Sequence, residues 1–145
     1  MANATKAYNS DQLQLVIGAF AFNTGRAADE FVSVSYNSDF HTIQVGSDGE
    51  VTRSRVNDRS ATITITLTQS SDGNDVLTGI WATDLNTPGG TPVPFLLRDS
   101  LGRTLLTAEQ CWLKTAPSAS YGSEAGTREW VFETGNLIAF YGGNT

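Results

Sequence analysis

The sequence predicts a mainly β protein: an antiparallel sandwich or barrel with one flanking α-helix over about residues 74–86. Three observations lead there. Eighteen threonines accompany many short apolar/polar alternations, and β-branched side chains suit a pleated, half-buried surface. Clusters of Gly, Asp, Asn and Ser separate these segments at short intervals. A single stretch changes from period 2 to helical spacing.

The clearest strand covers residues 60–68, where Ala61, Ile63, Ile65 and Leu67 fall on one face and Thr62, Thr64, Thr66 and Thr68 on the other. Phe31 to Tyr36 repeats the pattern. His41 to Val45 leads into Ser47-Asp48-Gly49, read as a tight hairpin turn with positive φ, and Val51 to Arg55 returns. Asn57-Asp58-Arg59 then turns into the threonine strand, so three consecutive antiparallel strands are expected. After Ser70 to Asn74, rich in capping residues, Val76, Leu77, Ile80, Trp81 and Leu85 recur on one helical face, and Asp75 sits where the helix dipole favours an anion. Asn86 to Gly90 stops the helix. Further strands are expected at Pro94–Arg98, Arg103–Leu106, Ala108–Lys114, Arg128–Thr134 and Leu137–Tyr141, with Gly135-Asn136 as one of the separating turns. No repeat, linker or low-complexity tract divides the 145 residues, so one domain over 1–145 is expected.

Composition removes several function classes. Nine Lys+Arg against fifteen Asp+Glu give a net charge of -6, which excludes a basic nucleic-acid clamp. One cysteine, Cys111, and one histidine, His41, cannot build a disulfide framework or the usual Cys/His zinc site. The longest apolar run, Leu15 to Phe22, is broken by Gly18 and is too short for a membrane helix, so no membrane partner is expected. The first residues lack the apolar stretch of a secretory signal, and the chain is expected to fold in a reducing cytoplasm. Without secretion, the acceptor triplet Asn3-Ala4-Thr5 has no meaning.

No catalytic constellation emerges. His41 has no Gly-x-Ser-x-Gly elbow to serve, and Cys111, in an apolar strand, reads as a small buried hydrophobe. Ser47 to Glu50 and Ser71 to Asp75 resemble calcium loops but lack the full oxygen set, so they read as turns. Glu129 and Glu133 alternate with Trp130 and Phe132, as on a solvated face opposite a core face. Trp81, Trp112 and Trp130 each sit in an apolar pattern and are expected in the core. Exposed aromatics would instead point to a small β-sandwich carbohydrate-binding module, the main alternative. No enzyme, cofactor or metal is expected.

The run Val45-Gly46-Ser47-Asp48-Gly49-Glu50-Val51-Thr52-Arg53-Ser54-Arg55-Val56-Asn57-Asp58-Arg59-Ser60 resembles the tail tube proteins of contractile-tailed bacteriophages. The similarity continues through Thr62 to Leu67, Asn74 to Leu77, Leu97-Arg98-Asp99 with Gly102 to Leu105, and Gly126 to Trp130 followed by Glu133 to Asn136. It spans about residues 29–143 and leaves 1–28 as an N-terminal segment with weaker likeness. The resemblance implies a structural virion protein related in fold to the tube subunit of type VI secretion systems. Such subunits form hexameric rings that stack into a hollow tube inside a contractile sheath. The implied partners are other copies of the chain, the sheath protein, a baseplate or tail initiator, and DNA in transit. The implied location is the virion tail, assembled in the host cytoplasm. A baseplate or tail-terminator relative, or the tube of a contractile bacteriocin, shares these features.

Within that frame the middle segment is distinctive. Arg53, Arg55 and Arg59 form the only basic cluster, and guanidiniums call for carboxylate partners. Asp48, Arg53, Arg55, Asp58 and Arg59 are therefore expected at a subunit interface, where Arg53, Arg55 or Arg59 pairs with Asp or Glu of another copy.

Overall fold

The computed structural model describes residues 5–144. Asn3 of the acceptor triplet lies outside the described residues. In chain order the elements are β1 (Leu13–Ile17), β2 (Phe20–Ala21), β3 (Val32–Tyr36), β4 (His41–Val45), β5 (Val51–Arg55), β6 (Ala61–Thr68), α1 (Gly73–Asn86), β7 (Val93–Asp99), β8 (Leu105–Thr115), β9 (Thr127–Thr134) and β10 (Ile138–Phe140). Eight strands form one sheet in the order β2-β1-β7-β8-β9-β6-β3, with β10 also on β8, and all its pairings are antiparallel. β4 and β5 form a separate two-stranded sheet.

The threonine strand behaves as its alternation dictates. Ala61, Ile63, Ile65 and Leu67 are fully buried, and the intervening threonines are half-buried on the opposite face. Cross-strand register continues the division: Ile63 opposes Phe132 and Ile65 opposes Trp130 on the core side, while Thr62 opposes Glu133 and Thr66 opposes Glu129 outside. Leu15, Ile17, Phe95, Phe132 and Leu77 of α1 complete the core. Each fully buried side chain of this size contributes about 1.5–3 kcal/mol.

The helix begins one residue before its expected start, at Gly73. A side chain at Gly73 would meet Leu67 Cδ1 and Phe22 Cδ1 at 3.0 Å, so only glycine lets the helix approach this closely. Its N-cap residue, Asp72, makes no side-chain cap bond; Ser71 Oγ instead accepts from the Gly73 N–H at 3.1 Å.

The sheet curls until its two ends meet at Arg26. The guanidinium donates to the carbonyls of Phe22 (2.7 Å), Ser10 (2.9 Å) and Leu13 (2.7 Å), while the Arg26 backbone bridges Leu67. Arg26 also lies 4.6 Å above the Phe31 ring. Thus one side chain joins the β1 end of the strand order to the β6–β3 end.

Several expectations are corrected. β4, β5 and β6 are not three consecutive paired strands: β6 pairs with β3 and β9, leaving β4–β5 as an independent hairpin. The buried face of β6 needs two core-facing neighbours, which an exposed hairpin cannot provide. The segments 103–106 and 108–114 fall largely within one strand, β8, because Thr107 belongs to the alternation and its cross-strand partners are Leu96 and Ile138. Gly135-Asn136 is not a reversal. β9 and β10 lie successively along β8, and the break is held by Thr134 Oγ1, which donates to Gln110 O at 2.7 Å and accepts from the Asn136 N–H at 3.3 Å. The hairpin β1–β2, centred on Gly18 at φ 65, has no signal in the sequence, since its apolar run lacks alternation. Leu85, expected on the buried helix face, is exposed because only the N-terminal half of α1 reaches the core. Of the three tryptophans, Trp130 is buried, Trp81 is half-buried and Trp112 is 37% exposed on the outer face of β8, opposite Glu133.

Candidate subunit interface

The β4–β5 hairpin is the most unusual feature of the surface. Every residue of both strands is exposed, among them Ile43 (67%), Val45 (63%) and Val51 (56%). Register places Val45 opposite Val51, Ile43 opposite Arg53 and His41 opposite Arg55, so these six side chains share one face. Thr42, Gln44, Thr52 and Ser54 make up the other, which carries no charge.

The turn at the tip is longer than the sequence suggests. Gly46 N–H donates to Glu50 O at 2.8 Å, Gly49 N–H donates to Gly46 O at 2.9 Å, and only Gly49 of the loop has positive φ, at 88°. Asp48 does not take a left-handed conformation; its Oδ1 accepts from the Glu50 N–H at 3.0 Å. Asp48 therefore acts at the tip as a turn former.

The base of the hairpin is anchored by a polar and aromatic cluster. Val56 N–H donates to Phe40 O at 2.9 Å, closing the ladder. Asp58 accepts from Ser38 Oγ (2.7 Å), Ser60 N–H (2.9 Å) and Ser60 Oγ (2.6 Å). The bonds from Ser60 and Ser38 favour the charged carboxylate and hold its pKa down at about 2. Phe40 packs edge-on against Tyr36 with ring centroids 4.9 Å apart, and Arg59 lies 5.9 Å above the Phe40 ring. Tyr36 Oη in turn donates to Leu137 O at 2.7 Å.

A cleft of about 460 Å3 opens at this base, and its lining includes Phe40, His41, Arg55 and Arg59 but no Asp or Glu. Arg55 and Arg59 thus converge on one cationic, aromatic cleft, and Arg53 lies on the same face as Arg55. Asp48 is at the opposite end of the hairpin, and Asp58 is committed to Ser38 and Ser60. Among the described residues the one ion pair is Lys114–Glu133, at 3.3 Å, and none of their carboxylates pairs with Arg53, Arg55 or Arg59. The exposed Ile43, Val45 and Val51 and the cleft aromatics Tyr36 and Phe40 were missed from sequence. Alternating valine and isoleucine carry the same signal whether the apolar face meets a core or another molecule.

The other candidates have local structural roles. Cys111 is fully buried, and burial pushes its thiol up to about 12, away from a reactive thiolate. Glu133 is paired with Lys114, and Glu129 is exposed on the same outer face. The segment at 71–75 forms the start of α1.

Known proteins share the sequence and the fold of this chain. The family model described as "Bacteriophage PhiTE tail tube protein" matches residues 11–142. "Structural protein ORF10" of Pseudomonas phage KPP10 is 31% identical over 150 residues, covering 99% of this chain and 87% of that protein. Among solved structures, the tube-terminating cap of the anti-feeding prophage has a TM-score of 0.60 at 10% identity, covering 94% of this chain and 93% of its own. A chain of the sheath–tube complex of the extracellular contractile injection system PVC, in the extended state, has a TM-score of 0.59 at 11% identity, covering 92% and 91%. The sheath/tube terminator of the same system has a TM-score of 0.56 at 11% identity, covering 94% and 99%. With nearly its whole length matched, this chain belongs to the phage tail tube protein family, a family of structural proteins of the virion tail.

Proposed function

We propose that this chain is the subunit of the inner tail tube, forming hexameric rings that stack into a conduit for DNA inside a contractile sheath. The observation that carries the reading is the β4–β5 hairpin, exposed throughout, with apolar side chains and arginines that no carboxylate among the described residues pairs with. An isolated monomer has no use for such an arm. A neighbouring subunit would cover its apolar face and supply carboxylates to Arg53, Arg55 and Arg59.

Two further features support assembly. The strand order ends at β2 and β3, and β3 contains neither Pro nor Lys to discourage pairing, so continuation of the sheet into neighbours would protect these edges. The outer face of β6 and β9, with its threonines and with Glu129 and Glu133, is suited to a wetted wall. Together with the net charge of -6, such a wall would repel phosphate and let DNA pass without binding it.

A tail-terminator role is the second reading, motivated by the likeness to the anti-feeding prophage cap and the PVC terminator. Extension separates the two. Mass photometry of the purified protein at rising concentration, with and without tail initiator complexes, should show a six-fold species and then continuous growth. A chain that adds once to a tube end and stops would be a terminator, and one that stays monomeric throughout would not be a tube subunit.

A further inference from the structure

The helix carries a surface whose chemistry mirrors that of the hairpin. A groove of about 350 Å3 runs along α1 and is bounded by Phe20, Val76, Gly79, Ile80 and Val93, with Asp75 at its margin. Phe20 and Asp75 are exposed. No Lys or Arg occurs between Arg59 and Arg98, whereas Asp72, Asp75 and Asp84 all do, so every charged side chain of the helix and its N-cap is acidic. Asp84 is engaged by the Thr91 N–H at 2.6 Å, while Asp72 makes no capping bond.

Gly79 is the second indication. A glycine in a helix interior costs about 1 kcal/mol relative to alanine. At Gly79 nothing among the described residues requires it, since a Cβ there would meet none of their atoms within 4 Å. A bare patch of helix backbone in the floor of an apolar groove admits close approach by another molecule.

We infer that a second copy of this chain seats the apolar face of its β4–β5 hairpin in the groove along α1, with its Arg53 and Arg55 opposite Asp72 and Asp75. The match is of kind as well as charge: Ile43, Val45 and Val51 face Phe20, Val76 and Ile80, and two guanidiniums face two exposed carboxylates. The two surfaces are different patches of one chain, so the contact is head-to-tail. Such contacts propagate into rings or filaments rather than closing as a dimer, which suits a tube. The inference rests on the tube-subunit reading and adds the receiving surface.

The test is charge exchange in the full-length protein, with assembly followed by sedimentation and the fold of each variant by thermal melting. Arg53→Asp with Arg55→Asp, or Asp72→Lys with Asp75→Lys, should each reduce the assembled fraction about tenfold, and all four together should restore most of it. Gly79→Leu should block assembly while leaving the melting temperature unchanged or raised, which keeps the test independent of folding defects. Loss with the arginine pair alone, with the aspartate pair and Gly79→Leu fully competent, would overturn the helix groove as receptor and leave the hairpin as an interface elsewhere. Normal assembly of every variant would overturn both this inference and the hairpin's role in the tube reading.

Discussion

Trp130 donates its indole N–H to Asn74 Oδ1 at 2.9 Å, a buried bond that fastens the first turn of α1 to β9. The Asn74 amide nitrogen donates to the carbonyls of Thr68 (3.0 Å), Ser71 (3.1 Å) and Gln69 (3.4 Å), so one side chain satisfies both the end of β6 and the tryptophan. Asn74 is only 4% exposed, and its loss would leave buried donors and acceptors without partners. Asn74→Ala should therefore cost about 2–3 kcal/mol, and Trp130→Phe about 1–3 kcal/mol. A double-mutant cycle by urea denaturation should give coupling near 1 kcal/mol. Simple additivity would show that the bond does not hold the helix in place.

Arg26 is predicted to hold the curled sheet. Arg26→Lys keeps the charge but replaces a planar fork, which reaches Phe22, Ser10 and Leu13, with a single ammonium. The expected cost is about 1–3 kcal/mol, with amide exchange accelerated first at Ala27 and Thr68, whose N–H groups donate to Thr66 O and Gly25 O across that seam. Unchanged exchange there would mean that the sheet ends are held by their backbone alone.

Legibility from sequence followed the burial pattern. β6 could be read residue by residue because one of its faces is core and the other is not, and α1 was readable from the spacing of Val76, Leu77 and Ile80. Pairing was less accessible. Nothing local distinguishes a hairpin that joins the main sheet from one that leaves it, so β4 and β5 were found as strands but assigned the wrong neighbour. The arginines of the candidate interface were legible through their charge. The apolar half of the same face was not, because Ile43, Val45 and Val51 look like core residues. The bonds of Asp58 to Ser60 are local turn bonds, whereas its bond to Ser38, twenty residues away, emerges only in the folded chain.

Asp58 predicts an acid transition at the hairpin base. Its folded pKa is depressed from 3.8 to about 2, so its contribution to stability is complete above the unfolded value and is lost as pH falls through the folded one. Carboxyl chemical shifts in NMR should place the Asp58 midpoint near 2. Asp58→Asn should remove the corresponding part of the stability loss between about pH 4 and pH 2. A midpoint at the ordinary value would contradict the hydrogen-bonded geometry.

Cys111 should be silent in the native protein. With its thiol fully buried and held near 12, labelling by a disulfide reagent at pH 8 should follow global unfolding and be complete in denaturant. Immediate stoichiometric labelling of the folded chain would contradict the packing of β8 against β7 and β9.

The central claim is that the chain repeats along the tail as its inner wall. Helical reconstruction by cryo-electron microscopy of intact tails from the phage that encodes it tests this most directly. The expected map places this fold in every stacked ring inside the sheath, with the β4–β5 hairpin against a neighbouring subunit. A map that places the chain in one ring at the tail end, or outside the sheath, would contradict the account.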